Sequence, residues 1–202
     1  MATIAIRSKI KKKIIFGIGG AGTAILNNFD RTKMFDETVQ FLVADTSKRS
    51  LSQSKITNQL QLGKNVTHGK GCGGSSALGK AAAMEASEEI EKSLEGAGLV
   101  VIVAGASGGA GSSGAQVVAG IAKDMGLRVA SILIHPFDQE LRERLASDAI
   151  EKMKSLSDSV TVLFNSNLNR LKDRFPEMDL RSSFGWQDMR VYEELQKIIK
   201  AL

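Results

Sequence analysis

Short apolar runs alternate with longer amphipathic stretches along most of this chain. The apolar runs are rich in β-branched residues and predict strands at 14–18, 39–44, 59–62, 99–104, 128–134 and 160–164. The stretches between them predict helices at 24–29, 76–94, 115–125, 139–156 and 182–202. The run at 99–104, Leu-Val-Val-Ile-Val-Ala, lacks polar alternation, so we expect a strand that is buried on both faces.

This alternation predicts an α/β fold: a three-layer, Rossmann-like arrangement with helices on both faces of a parallel sheet. A chain of 202 residues, 43% of them hydrophobic, is long enough for one sizeable core. We therefore expect one domain over residues 1–180, a terminal helix over 181–202 with Ser182 or Ser183 as its cap, and no second domain.

Three glycine-rich segments are associated with the predicted strands. Ligands of parallel sheets bind at the carboxyl ends of the strands, so we expect these segments to meet at that edge. The first is Gly17-Ile-Gly-Gly-Ala-Gly22, where glycines permit close backbone approach to a phosphate and the next helix offers its N-terminal N–H groups. Alone it also fits a dinucleotide-binding turn, with Asp45 as the ribose-binding acid, or a turn without a ligand.

The other two segments change this interpretation. The second is Thr67-His-Gly-Lys-Gly-Cys-Gly-Gly74, and the third is Gly105-Ala-Ser-Gly-Gly-Ala-Gly-Ser-Ser-Gly114. The third lacks the lysine of a Walker-type loop, so it predicts a phosphate cradle of main-chain N–H groups and helix dipole. Three such segments on one edge fit a polyphosphate better than one pyrophosphate. The alternatives are a flexible connection at 67–74 and a tightly packed crossover at 105–114.

Composition further narrows the classes of protein to which this chain could belong. The net charge is +5, but the basic residues of 9–13 form one short cluster, and a single Tyr and a single Trp give no aromatic platform for nucleic acid. The lone Cys72 cannot form an internal disulfide, which favours a reducing cytoplasm. His68, His135 and Cys72 are too few for a zinc site. The first 25 residues resemble neither a signal peptide nor a membrane span.

Taken in order, these motifs resemble the FtsZ/tubulin family over nearly the whole chain. The segment 17–22 resembles the family's first loop, and 67–74 its Thr-x-Gly-x-Gly-Ala-Gly loop, with Gly79 as the glycine that follows. The run 105–114 resembles the signature Gly-Gly-Gly-Thr-Gly-Thr-Gly, and Phe41-Leu-Val-Ala-Asp-Thr46 resembles the second strand.

The second half of the chain continues the resemblance. His135-Pro-Phe-Asp-Gln-Glu140 is similar to the family's Lys-Pro-Phe-x-x-Glu, with Arg144 four residues on. Asn165 follows a strand, as an asparagine does in the family. Phe184 and Asp188 suit the Phe-x-x-x-Asp of its central helix.

The resemblance implies a GTP or GDP site, with Mg²⁺ as a companion. The three glycine segments would hold the phosphates, Glu140 and Arg144 would face the ribose region, Asn165 and Asp188 would bond the guanine edge, and Phe184 would stack on the base. A carboxylate suits guanine, because guanine presents the paired N1–H and N2–H donors that adenine lacks. The expected binding residues are Gly19, Gly20, Ala21, Gly71, Gly73, Gly74, Gly105, Ser107, Gly108, Gly109, Ala110, Gly111, Ser112, Glu140, Arg144, Asn165, Phe184 and Asp188.

Departures from the family limit what the resemblance implies. Ser107, Ala110 and Ser113 replace signature residues, and Ala24 stands where an asparagine is usual. The family's second domain and acidic loop are not found before Leu202, so catalytic residues stay unassigned. We expect a cytoskeletal or cell-division protein that binds guanine nucleotide, with GTP hydrolysis weak or dependent on self-association or an FtsZ-like partner. The alternatives are a non-hydrolysing module that senses nucleotide or docks on filaments, and an NAD-binding enzyme.

Overall fold

The protein is built around a parallel sheet of six strands. The computed structural model describes residues 12–29, 35–137, 140–168, 174–175 and 180–201. The order across the sheet is β3-β2-β1-β4-β5-β6, with every neighbouring pair parallel. The strands are β1 (Lys13–Ile18), β2 (Val39–Asp45), β3 (Gln59–Gln61), β4 (Leu99–Gly105), β5 (Arg128–His135) and β6 (Ser159–Phe164).

Seven described helices and one π-helical turn connect or follow these strands. The π-turn, Gly109–Gly114, runs directly into the helix at Ala115. The helices are α1 (Gly19–Asn27), α2 (Lys48–Ser52), α3 (Ser76–Glu85), α4 (Ser87–Leu94), α5 (Ala115–Asp124), α6 (Glu140–Leu156) and α7 (Leu180–Lys200). Within the described residues, no helix is both long and apolar enough to cross a membrane.

Two hydrophobic clusters lie on opposite faces of the sheet. One packs α3, α4, α5 and α6 against the strands, and the other packs α1, α2 and α7 against them. Successive side chains of β4 alternate between the two clusters. Leu99, Val101 and Val103 belong to one cluster, and Val100, Ile102 and Ala104 belong to the other. This arrangement confirms the predicted three-layer fold and explains why β4 lacks polar positions.

Strand register brings the glycine-rich segments to one edge. Ile18, the last residue of β1, pairs with Ala44 of β2 and Ala104 of β4. Gln61, the last residue of β3, pairs with Asp45, the last residue of β2. The chain therefore leaves β1, β2, β3 and β4 at nearly the same level of the sheet.

Several helix boundaries differ from the predicted ones. The helix expected over 76–94 is two helices, because Ala86 leaves the helical conformation (φ −95°, ψ 16°) and its N–H bonds the carbonyl of Ala83. Helix α7 begins at Leu180, so the prediction of a cap at Ser182 or Ser183 is wrong. Helix α1 begins at Gly19, inside the first glycine segment, and not at residue 24.

The short helix α2 was not predicted from the sequence. Its cap is Ser47, whose hydroxyl accepts a hydrogen bond from the N–H of Ser50 at 3.2 Å. A five-residue helix is too short to show helical periodicity, so this capping serine was its only sequence signal.

Candidate functional site

The first and third glycine segments pack against each other at the carboxyl edge of the sheet. Gly19 opens α1 with φ +70°, and a Cβ added to it would lie 2.7 Å from the N atom of Gly111. No side chain other than hydrogen fits this approach. Because α1 starts at Gly19, the first N–H groups of the helix, which have no partner within the helix, lie at this edge.

The third segment is helical over most of its length. Gly108 is extended (φ −86°, ψ 150°), and the π-turn begins at Gly109 and buries all six of its residues, among them Ala110. Both the N–H and the hydroxyl of Ser112 donate to the carbonyl of Gly108, and the Ser113 hydroxyl donates to that of Gly109 at 2.6 Å. These serines therefore stabilise the turn, and the assignment of Ser112 to a phosphate stays a prediction.

The second glycine segment packs against the start of this turn. A Cβ added to Gly109 would lie 2.6 Å from Cys72 Sγ and 3.0 Å from the carbonyl carbon of Gly74. Behind the segment, a Cβ added to Gly79 in α3 would lie 2.3 Å from the carbonyl oxygen of Gly109. The expected meeting of the three segments is therefore present as a set of close backbone contacts.

Further hydrogen bonds fix the second segment and the two residues just before it. The turn after β2 bonds it twice, through Lys48 N to Gly69 O at 2.9 Å and Gly71 N to Thr46 O at 3.2 Å. The Glu85 carboxylate accepts from the N–H groups of Asn65 and Val66, both at 2.9 Å. These backbone bonds hold the pKa of Glu85 below its ordinary value.

Asp45 has a structural role in this turn. It is 5% exposed, and its Oδ1 accepts from the N–H of Ser47 at 3.1 Å. A ribose-binding acid must present its carboxylate to the ligand, so this burial weakens the NAD-binding alternative.

A cavity of about 280 Å³ opens where the first and third segments meet. Of the predicted site residues, its lining includes Gly20, Ala21, Gly105, Ser107, Gly108, Gly111 and Asn165. It also includes Phe137 and Arg142, which the sequence did not indicate. Gly71, Gly73, Gly74 and Arg144 do not line it, and the Glu140 side chain lies outside the described part, so their roles stay predictions.

Asn165 lines this cavity and carries a buried polar atom. Its backbone N–H donates to the carbonyl of His135 at 3.2 Å, which fixes it just beyond β6. Its Oδ1 is buried and has no hydrogen-bond partner among the described residues. A buried acceptor without a donor is costly, which is the expected condition of an amide that binds a ligand.

A second cavity, of about 800 Å³, lies between the end of α1 and the start of α7. It is lined by Asn28, Phe29, Phe184, Gly185, Asp188, Met189 and Tyr192. The Phe184 ring is 46% exposed and meets Phe137 edge-on, with 6.4 Å between ring centroids. Since Phe137 lines the first cavity and Phe184 the second, the two cavities adjoin.

Asp188 is the acidic group of the second cavity. Burial raises the pKa of its carboxyl, and a hydrogen bond from Asn28 Nδ2 to Oδ2, 2.7 Å long, opposes that rise. Asn28 was not predicted from the sequence, because nothing in the pattern links residues 160 positions apart.

Together the fold and the site define an α/β domain whose ligand edge joins a backbone-built cavity to one built from side chains. A sequence profile described as the Tubulin/FtsZ family, GTPase domain, matches residues 12–173, and the chain belongs to this family.

Relatives and solved structures agree with this assignment. The chain is 38% identical over 165 residues to the cell division protein FtsZ of Magnetospirillum gryphiswaldense, covering 80% of this chain and 29% of that protein. It is 33% identical over 187 residues to FtsZ of Caulobacter vibrioides, covering 92% and 36%. The structure of the FtsZ W319Y mutant from M. jannaschii superimposes with a TM-score of 0.83 at 27% identity, covering 95% of this chain and 57% of that one. This chain thus spans about a third of the curated relatives' length.

Proposed function

We propose that this chain binds GTP and GDP across the two adjoining cavities, with the phosphates on the glycine segments and the base beside Asp188. The observation that carries the proposal is the edge contact between Phe137 and Phe184, which joins the backbone-lined cavity to the one containing a carboxylate. A nucleotide has the matching shape, an anionic end and a planar polar end.

The phosphate end relies on main-chain donors. The first turn of α1, with Gly20 and Ala21, faces the first cavity, and helix N-termini attract anions through free N–H groups and the helix dipole. Gly105, Ser107 and Gly108 supply the opposite wall, and Arg142 adds a cation. The exposed Gly73 and Gly74, at the second segment, suit the terminal phosphate. From the resemblance, Glu140 and Arg144 serve the ribose region.

The base end selects guanine. An ionised Asp188 accepts hydrogen bonds from guanine N1–H and N2–H, whereas adenine presents no such donor pair. The exposed Phe184 offers a stacking surface, and Asn165, which lines the first cavity, offers an Oδ1 acceptor that has no partner among the described residues.

Hydrolysis requires a group that activates water. The described residues that line the first cavity offer N–H groups, a hydroxyl, an amide and a guanidinium. We propose that hydrolysis is weak in the isolated chain and depends on a carboxylate from a second copy or an FtsZ-like partner. A Mg²⁺ ion that accompanies the nucleotide would offset the negative charge of the phosphates. We further propose a cytoplasmic role in cell division or the prokaryotic cytoskeleton, and the relatives' name, cell division protein FtsZ, supports the cell-division part.

The proposal is tested by identifying the bound nucleotide and by competition. Nucleotide extracted from purified protein should be GDP or GTP, and GDP should displace a fluorescent guanine nucleotide while ADP and NAD do not. Displacement by NAD or ADP at concentrations similar to those of GDP would overturn the proposal.

Phosphate release measured over a range of protein concentrations distinguishes partner-dependent hydrolysis from nucleotide binding without hydrolysis. A rate per chain that rises with concentration supports completion of the site by a second chain. Negligible release at all concentrations supports the non-hydrolysing, nucleotide-sensing alternative. Rapid release at low concentration contradicts both versions, because it needs a complete active site in one chain.

A further inference from the structure

The side chain of Asn28 makes a contact with Asp188 that the proposed function does not use. Asn28 caps the C-terminus of α1, and its Nδ2 donates to Oδ2 of Asp188 at 2.7 Å. The two residues belong to different elements and both line the second cavity.

We infer that Asn28 is a positioning residue, which orients the Asp188 carboxylate toward the base and thereby strengthens the preference for guanine. This inference rests on the proposed function, because it assigns to Asn28 a role at the base end of that site.

The neighbouring Asn27 helps to fix the direction of Asn28. Asn27 Oδ1 accepts from Ser54 Oγ at 2.8 Å and from Lys55 N at 2.9 Å, which ties the end of α1 to the segment after α2. Consecutive residues of a helix point about 100° apart, so with Asn27 held on one side, Asn28 is directed to another. Its amide therefore reaches Asp188 from a helix end that is itself anchored.

The contact leaves Asp188 free to accept hydrogen bonds from a guanine base as well. An ionised carboxylate has about four lone-pair positions, so one N–H from Asn28 leaves room for the two donors of guanine. Holding the carboxylate in one orientation before binding lowers the entropy lost on binding.

Asn28 also affects the charge of Asp188. Burial beside Phe29, Phe184 and Met189 disfavours the carboxylate and raises the pKa of Asp188, while the Asn28 amide favours the carboxylate and lowers it. A protonated carboxyl loses acceptor capacity toward the two guanine donors. Among the described residues that line the cavity, Tyr192 is the other titratable side chain.

The test uses two variants of Asn28 and two controls in the full chain. Asn28→Ala removes the donor, and Asn28→Asp keeps the shape but places a second acid beside Asp188. Asn27→Ala removes the bonds to Ser54 and Lys55 but leaves the Asp188 contact. Tyr192→Phe removes the other titratable group.

Two measurements are needed for each variant. The first is GDP affinity between pH 4.5 and 8. The second is the titration of the Asp188 side-chain carboxyl by NMR in nucleotide-free protein, assigned by the loss of its signal in Asp188→Asn. Because Asp30, Arg31 and Lys33 lie outside the described residues, reading the titration at Asp188 itself separates its ionisation from theirs.

Asn28→Ala should weaken GDP binding about three- to tenfold at neutral pH, the range expected for one hydrogen bond to a charged, partly solvated group. Its binding should also fail at a higher pH than in the wild type as the solution is acidified, with the Asp188 titration moving in the same direction. Asn28→Asp should show the larger shift. Asn27→Ala loosens the end of α1 but keeps the Asn28 donor, so its shift should be smaller than that of Asn28→Ala, and Tyr192→Phe should keep the wild-type pH dependence.

Tighter GDP binding by Asn28→Ala would overturn the inference, because Asn28 would then compete with the base. Unchanged affinity and unchanged titration would overturn it too, as would an equal pH shift in Asn27→Ala. Failure of the wild type to bind GDP would overturn the proposed function, while the Asp188 titration would still decide whether Asn28 controls that carboxyl.

Discussion

The two cavities of the ligand edge are built in different ways. The first cavity is lined largely by the first and third glycine segments, and the close contacts around it leave no room for a Cβ at Gly19 or at Gly79 of α3. The base end consists of side chains, and its key pair joins Asn28 to Asp188 across 160 positions of sequence. One end is fixed by the path of the chain, whereas the other depends on how two helices pack.

This difference has consequences for substitution. A site built from backbone should tolerate changes of side chain wherever space permits, but should fail where a new Cβ meets a carbonyl. A side-chain site keeps its fold when altered and changes its ligand preference instead.

The largest effect should come from Gly79→Ala, compared with Gly120→Ala. The new Cβ at 79 would lie 2.3 Å from the Gly109 carbonyl, whereas one at 120 meets nothing within 4 Å. Gly79→Ala should destabilise the protein by about 1–3 kcal/mol, as overpacking does, and weaken GDP binding. Gly120→Ala should stabilise it by about 0.5–1 kcal/mol. Urea unfolding and GDP titration check both variants, and equal stabilities would contradict the close contact.

At the second cavity, Asp188→Asn should weaken GDP binding by about 1.5–3 kcal/mol, roughly ten- to 150-fold, since a charged acceptor is lost. The control is Glu193→Gln, an exposed acid on the same helix. Discrimination between GDP and ADP should fall with Asp188→Asn alone. Full selectivity in that variant would place the base elsewhere.

The same variant has a predicted effect on stability. Burial raises the folded-state pKa of Asp188, so the folded chain holds its proton to higher pH than the unfolded chain does. The free energy of unfolding therefore falls as pH rises through the folded-state pKa of Asp188. Below the unfolded-state pKa, the buried carboxyl is protonated and does not destabilise the fold. Asp188→Asn should be at least as stable as wild type at neutral pH, with the difference vanishing in acid, as thermal unfolding would show.

A smaller effect is expected from the cations of α6. Arg142 lines the first cavity, while Arg144 was predicted from the family pattern. Residues two apart on a helix point about 200° apart, so the two are not expected to face one cavity. Arg142→Ala should weaken GDP binding about two- to fivefold, as exposed ion pairs do, and Arg144→Ala should have less effect. The reverse order would support Arg144.

The smallest effect is expected from Glu85→Gln, with Glu91→Gln as control. Hydrogen bonds from Asn65 and Val66 lower the folded-state pKa of Glu85. The stabilisation that Glu85 provides is therefore present above its unfolded-state pKa and is lost as pH falls through its folded-state pKa. The protection of the amides of residues 64–67 against hydrogen exchange, relative to the intrinsic rate at each pH, should therefore fall in acid for wild type and depend less on pH in Glu85→Gln. A matching change in Glu91→Gln would contradict this anchoring role.

Much of the phosphate end could be predicted from sequence, because each glycine segment is local and follows its strand. The second segment was expected to approach the ligand, yet its glycines do not line the first cavity. The sequence did not indicate Arg142 or Phe137 as site residues. The residue at which α6 begins decides which of its side chains faces the cavity, and a shift of one or two residues changes the answer.

The sequence by itself determined the three-layer parallel fold, the common edge of the glycine segments and the family. These follow from local patterns, since apolar runs set the strands and parallel pairing sets the edge. Only the tertiary structure decided the contact of Gly19 with Gly111, the burial of Asp45 and the pairing of Asn28 with Asp188. Those depend on how α1 and α7 pack on the same face of the sheet, and packing between distant segments leaves no periodic signal in the chain.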